Sequence, residues 1–92
     1  MGGRPLRSRR LTLYLAPTDG GPRTAVVVGR SVGGAVRRNR AKRLIREVWK
    51  TVGPRLRESA DAVLVARPEI EGATTTELIE EVEDVLTRAG VL

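Results

Sequence analysis

The 92-residue chain contains no cysteine, no histidine and no phenylalanine, and it has a single tryptophan and a single tyrosine. Without cysteine there is no disulfide and no thiolate metal site, which fits a cytoplasmic protein. Histidine, the commonest general base, and cysteine, the strongest nucleophile, are thus both absent. The chain is therefore not expected to perform chemistry alone or to act on a small-molecule substrate. No apolar run reaches about 18 residues, so no membrane-spanning helix and no membrane partner are expected.

Acidic residues are scarce in the first part of the chain. Residues 1–57 carry 15 basic and 2 acidic side chains, whereas residues 58–92 carry 2 basic and 9 acidic ones. The overall net charge of +6 therefore understates the field on one side of the molecule. Such a field attracts a polyanion, with an affinity that falls steeply as salt rises.

The strongest local pattern is a basic amphipathic segment that follows Gly33 and Gly34. Seven Lys or Arg residues lie within positions 37–50, where Glu47 is the only acid, so intrahelical ion pairs cannot neutralise the charge. Apolar residues recur at the spacing of a helix with one buried face; they are Ala41, Leu44, Ile45, Val48, Trp49, Val52 and Leu56. Beside this stripe lies a cationic ladder, so we interpret the helix, roughly Ala35 to Leu56, as a nucleic-acid-binding element. Gly53-Pro54 is expected to end or kink it near Val52.

The remaining periodicities predict an α+β fold in the order β-β-α-β-α, with helices packed on a small, mainly antiparallel sheet. The strands are expected at Leu11–Ala16, at Thr24–Gly29, which would be antiparallel to the first, and at Asp61–Ala66. Thr74 and Glu77 form a capping-box pattern before a second helix, whose acids we interpret as a solvated face. Residues 1–92 are thus one RNA-binding domain, in which 1–10 are expected to be loosely held.

The segment VVGRSVGGAVRRNRAKRLIREVWK resembles the RNR-motif region of the bacterial ribonuclease P protein component. The family pattern is Gly-x-Ala-Val-x-Arg-Asn-x-x-Lys-Arg-x-x-Arg-Glu. This chain matches it in register with Gly33 or Gly34, Ala35, Val36, Arg38, Asn39, Lys42, Arg43, Arg46 and Glu47. The resemblance extends from about residue 10 to residue 90. It implies the protein subunit of an endoribonuclease that removes the 5′ leader from precursor tRNA, and a left-handed βαβ crossover around the basic helix.

The resemblance also implies partners and site residues. The catalytic RNA, with Mg²⁺ bound to it, would perform the hydrolysis, while the protein binds that RNA and the precursor tRNA leader. The residues expected to contact RNA are Arg30, Arg37, Arg38, Asn39, Arg40, Lys42, Arg43, Arg46 and Lys50. Tyr14 and Arg67 are expected in the leader-binding cleft. For Tyr14, a place at the sheet edge with its hydroxyl in water stays an equal alternative.

One departure from the family concerns the N-terminus. Members normally begin with a helix whose aromatics form one wall of the cleft, whereas here residues 1–10 read MGGRPLRSRR. With a shortened N-terminus, affinity for the leader is expected to suffer while binding to the catalytic RNA survives.

Alternative functions differ in the RNA partner or the chemistry. A structural RNA-binding protein of another ribonucleoprotein, such as a ribosome-associated domain, would share the whole charge argument. An autonomous nuclease is disfavoured because no His and no acidic cluster accompanies the basic face.

Overall fold

The computed structural model describes residues 5–92, which form a four-stranded sheet covered on one face by two helices. The elements are β1 (Pro5–Arg7), β2 (Leu11–Pro17), β3 (Thr24–Val27), α1 (Ala35–Val52), β4 (Ala60–Ala66) and α2 (Thr75–Arg88). Short 3₁₀ turns lie at Arg30–Val32, Gly53–Arg55 and Pro68–Ile70. The α+β class is confirmed, with β1 as an additional strand. None of the helices in residues 5–92 is both long and apolar enough to cross a bilayer.

The strand order is β1-β2-β4-β3, so β3 does not pair with β2 as the sequence suggested. Instead β4 lies between them, antiparallel to β2 and parallel to β3. The connection from β2 to β3 crosses the start of β4, where the Thr18 N–H donates to the Ser59 carbonyl at 3.1 Å and the Ala62 N–H to the Arg23 carbonyl at 2.9 Å. A parallel pair needs a crossover connection, which α1 supplies between β3 and β4. The left-handed sense of the β3-α1-β4 crossover, which the family resemblance implies, stays a prediction.

The core lies between the sheet and the two helices. Along β2 and β4, alternate residues such as Leu11, Leu13, Ala62 and Leu64 are at most 2% exposed because successive strand residues point to opposite faces. The predicted stripe of α1 is confirmed, since five of its members are buried: Ala41, Ile45, Val48, Trp49 and Val52. The stripe therefore anchors α1 and directs its basic side chains outward.

The N-terminal segment differs from the expectation that residues 1–10 are loosely held. Pro5–Arg7 form β1, which pairs antiparallel with β2. The Glu81 carboxylate, 17% exposed, ties the next turn to α2, because it accepts hydrogen bonds from the Ser8 hydroxyl and from the Arg10 N–H at 2.8 Å, and pairs with the Arg10 guanidinium at 3.3 Å. Glu81 is therefore not part of a solvated acidic face. Positions 1–4 of the expected loose segment lie outside the described residues.

Helix α2 begins with the predicted capping box. The Glu77 N–H donates to the Thr74 hydroxyl at 3.1 Å, and the Thr74 N–H donates to Glu77 Oε1 at 2.9 Å. The hydrogen bond from the Thr74 backbone holds the pKa of Glu77 below its usual range, with a smaller contribution from Arg10. The capping box thus stabilises the helix start best when this carboxylate is ionised.

The end of α1 yields a stability prediction because Trp49 packs against Gly53. A Cβ at position 53 would lie 2.9 Å from the indole Nε1, although the backbone there is helical (φ −51°) and suits alanine. Gly53→Ala is therefore expected to cost about 1–3 kcal/mol by overpacking. Urea unfolding followed by emission of the single tryptophan measures this cost. Gly21→Ala is the matched control, since its Cβ would meet nothing within 4 Å; equal unfolding midpoints for the two variants would contradict the prediction.

Candidate nucleic-acid interface

Helix α1 presents a continuous basic surface, here called the cationic face, because its opposite side is anchored in the core. At about 100° per residue, its members follow one another around the exposed side of the helix; they are Arg38, Asn39, Lys42, Arg43, Arg46 and Lys50. Arg38 and Lys42 flank the buried stripe and are half-buried, and the other four members are exposed. Half-burial of Arg38 and Lys42 is expected where the aliphatic stem of a long cationic side chain lies along apolar surface and its charged group reaches solvent.

The charges of the cationic face are not neutralised within the described part of the chain. Among the α1 cations in residues 5–92, only Arg37 has a carboxylate within 4.0 Å, at 3.2 Å from Glu71. No acid lies in the first turn of α1, so several positive charges stand near the positive end of the helix dipole. This arrangement is unfavourable in isolation and becomes favourable when phosphates bind.

Three other predicted basic residues lie apart from the cationic face. Arg37 and Arg40 project from the opposite flank of α1, towards the loop that follows β4. Arg30 is exposed in the 3₁₀ turn that precedes α1. The nine residues expected from the sequence thus divide into the cationic face, one flank pair and one residue before the helix.

The uncovered face of the sheet, here called the open sheet face, holds Tyr14. Tyr14 is 37% exposed and lies opposite Pro5 on β1 and Val63 on β4. It therefore lies on an inner strand and not at the edge of the sheet. Val63, the cross-strand neighbour of Tyr14, is 38% exposed, and Val27, on β3 opposite Val65, is 47% exposed. Exposed apolar side chains therefore extend from the ring across the same face. The alternation of residues along β4 could have predicted from the sequence that Val63 lies on this exposed face.

Arg67 continues the same face beyond β4. Its backbone is extended (φ −97°, ψ 158°), so the alternation that places the exposed Val63 and the half-buried Val65 on this side also directs Arg67 to the open sheet face. Arg67 follows Val63, the partner of Tyr14, by four residues, so the two backbone positions are about 13 Å apart along the strand direction. Its Nε lies 4.0 Å from Glu69 Oε1 and has no hydrogen-bond partner within residues 5–92. The two predicted cleft residues therefore share a face at different levels along the strands.

Arg7 is a further residue of this face, which the sequence analysis missed. It lies on β1 opposite Thr12, and the pairing places it on the same side of the sheet as Tyr14. Because residues 1–10 show no periodic pattern, no sequence signal assigned Arg7 to a strand. The open sheet face is thus an apolar centre with arginines towards one end.

Comparisons with known proteins agree on one family. The family profile described as Ribonuclease P matches residues 2–90. A ribonuclease P protein component of Symbiobacterium thermophilum is 36% identical over 92 residues, covering 98% of this chain and 80% of the relative. One from Chloroflexus aurantiacus is 40% identical over 92 residues, covering 98% of this chain and 68% of the relative.

Solved structures show the same fold. The ribonuclease P protein of Staphylococcus aureus superposes with a TM-score of 0.78 at 28% identity, covering 97% of this chain and 83% of that one. The ribonuclease P protein of Thermotoga maritima gives a TM-score of 0.78 at 24% identity, covering 94% of this chain and 83% of that one. A mutant of the Staphylococcus aureus protein is described as having defective mRNA degradation activity.

Proposed function

The chain belongs to the bacterial ribonuclease P protein family, and from this premise we propose which RNA binds to its cationic face and which to its open sheet face. As a ribonuclease P protein component it is an RNA-binding subunit in tRNA processing, and its partner is the ribonuclease P RNA. In this proposal the cationic face binds that catalytic RNA in the cytoplasm. The observation that supports it is the row of α1 cations without carboxylate partners in residues 5–92.

Arginine and asparagine suit this role for different reasons. The planar guanidinium donates two parallel hydrogen bonds to phosphate oxygens, whereas the Lys ammonium acts as a point charge. The Asn39 amide both donates and accepts, which matches the 2′-hydroxyl that distinguishes RNA from DNA. Contacts of these kinds hold an RNA backbone without reading base sequence.

We assign the hydrolysis to the RNA and its bound Mg²⁺. The donor set of this chain does not fit a metal centre, since within residues 5–92 no three His, Cys, Asp or Glu residues lie together in a group that could hold an ion. In this proposal the catalytic step belongs to the RNA, and the protein does not take part in bond cleavage. Its contribution is to bind RNA and to offset the repulsion between RNA phosphates, which matters most when Mg²⁺ is scarce.

The open sheet face is the proposed site for the 5′ leader of precursor tRNA. Tyr14 offers a ring on which an unpaired base can stack, and Val63 and Val27 extend the apolar contact. Arg67 and Arg7 lie towards one end, where a leader phosphate can be neutralised. No helix in residues 5–92 covers this face, so a leader reaches it directly.

Tyr14→Ala is expected to weaken holoenzyme binding to precursor tRNA by about 1–3 kcal/mol, because one base loses its stacking partner. Mature tRNA, which lacks the leader, is expected to bind equally well with and without the substitution. Tyr14→Phe is the matched control, since it keeps the ring and loses only the hydroxyl. Equal weakening for precursor and mature tRNA, or equal loss in Tyr14→Phe, would reject stacking of the leader on this ring.

The direct test of the function is cleavage of precursor tRNA by a bacterial ribonuclease P RNA at low Mg²⁺, with and without the 92-residue chain. Stimulated cleavage at the correct 5′ end is the expected result. Protein alone, assayed at the same Mg²⁺, is expected to leave the substrate intact. Tight, salt-sensitive RNA binding without stimulation would instead favour a structural protein of another ribonucleoprotein.

A further inference from the structure

A cleft separates the start of α1 from the loop that follows β4. Its volume is about 360 Å³, which is at the lower end of the range of small-molecule sites. Its floor is formed by Val32, Ala41 and Ile70, side chains that are 3–5% exposed. The cleft is therefore a surface depression with an apolar floor, and it is separate from both the cationic face and the open sheet face.

Two arginines stand at the mouth of this cleft. The stem of Arg37 lies over Gly33, where the backbone has φ +134° and an added Cβ would come within 2.7 Å of Arg37 Cδ. Its guanidinium is paired with Glu71 across the cleft at 3.2 Å. Arg40 is exposed and has no carboxylate within 4.0 Å in residues 5–92. Gly33 leaves room for the stem of Arg37, and Glu71 holds its guanidinium across the opening. The charge of Arg40 has no such carboxylate partner in residues 5–92 and can pair with an anion.

We propose that this cleft binds one unstacked nucleotide of a single-stranded RNA segment; the proposal rests on the RNA-binding function above and deepens it. In this proposal the base enters the cleft over its apolar floor and stacks on the Arg37 guanidinium, and its phosphate binds Arg40. Unpaired bases in RNA are recognised in this manner, by stacking on aromatic rings or on arginine planes. A duplex cannot place a base there, because its bases are stacked and paired.

The charge pattern favours a nucleotide over an apolar partner. The Arg37–Glu71 ion pair joins side chains that are 61% and 55% exposed, so it contributes little to stability and serves mainly to orient Arg37. Because Arg40 lies on the same helix as the cationic face, one RNA chain can contact both surfaces. The cleft would then select a bulge or an unpaired strand, whereas the cationic face binds phosphates irrespective of pairing.

The first test is an NMR titration of methyl-labelled protein with 5′-AMP, and with inorganic phosphate as the second probe. We expect 5′-AMP to shift the methyl signals of Val32, Leu44 and Ile70, which line the cleft. Phosphate alone is expected to leave these methyl signals in place. Unchanged methyl signals with 5′-AMP, or the same shifts with phosphate, would overturn the proposal.

The second test fills the cleft without changing charge. Ala73 lines it, so Ala73→Leu is expected to abolish the 5′-AMP shifts and to weaken binding of ribonuclease P RNA about fivefold or more, the cost of one lost stacked base. The salt slope is expected to fall by no more than about 1, since at most the one phosphate contact to Arg40 is lost and the cationic face is unchanged. Ala73→Ser is the control of nearly equal size.

The two proposals fail in different ways. If Ala73→Leu binds the RNA as tightly as the wild type, the cleft proposal is overturned while the cationic face keeps its role. If the wild-type chain shows no salt-dependent binding to ribonuclease P RNA, the proposed interface itself is rejected, whatever the titration with 5′-AMP shows.

Discussion

Replacing Arg38, Lys42 and Arg46 together by glutamine is expected to weaken binding of ribonuclease P RNA about 10²- to 10³-fold at 0.1 M salt. Each lost phosphate contact removes about 0.9 from the slope of log K against log salt, so the triple variant is expected to lower the slope by about 3. Filter binding or fluorescence anisotropy across a series of salt concentrations measures both quantities. Affinity is expected to fall about equally for RNAs of different sequence.

The matched control removes the same charge elsewhere. Arg55, Arg57 and Arg88 lie outside α1, and Arg55 and Arg88 pair with the α2 acids Glu83 and Asp84. Their joint replacement by glutamine is expected to change the salt slope far less, because no phosphate contact is lost. A similar loss in both triple variants would mean that net charge, and not the cationic face, governs binding.

Unfolding of the triple variant is not expected to explain the loss. Arg38 lies near the start of α1, where a cation opposes the helix dipole, and Arg38, Lys42 and Arg46 repel one another at a spacing of four residues. Neutralising them is therefore expected to leave the melting temperature unchanged or to raise it slightly. Thermal unfolding followed by circular dichroism checks this, and a marked fall would shift the interpretation from binding to folding.

The second large effect is expected at Glu81, which holds the N-terminal segment against α2. Glu81→Ala removes the carboxylate that accepts from Ser8 and Arg10. Within residues 5–92 it leaves the Arg10 guanidinium, 16% exposed, with Glu77 at 3.9 Å as its one remaining carboxylate. We expect a cost of about 2–3 kcal/mol in the free energy of unfolding, because a largely buried charge loses its main partner. Urea unfolding measures this cost, and hydrogen exchange is expected to show faster opening of β1.

Glu80→Ala is the control for this prediction. Glu80 lies next to Glu81 on α2 but is exposed and has no cation within 4.0 Å in residues 5–92. Its replacement is expected to change stability by no more than about 0.5 kcal/mol. If the two variants unfold at the same urea concentration, the contacts of Glu81 do not stabilise the fold as argued.

The sequence by itself determined the helices and the cationic face. The stripe from Ala41 to Val52, the capping box at Thr74 and the stop at Gly53-Pro54 are local patterns, which short-range sterics and hydrogen bonding enforce. The cationic face followed from the same periodicity, since burying one side of a helix exposes the other. The family resemblance came from residue types at fixed spacing within this one helix.

Only the tertiary structure decided which distant segments meet. Strands β2, β3 and β4 are all apolar enough to pair with one another, so their order depends on the α1 crossover and on the loop that crosses β4. Strand β1 has no periodicity of its own and forms because β2 offers a free edge and Glu81 binds the turn after it. The Arg37–Glu71 pair joins residues 34 positions apart, and the cleft exists only because these distant segments meet. Contacts of this kind depend on how the whole chain packs, which no local pattern of residues specifies.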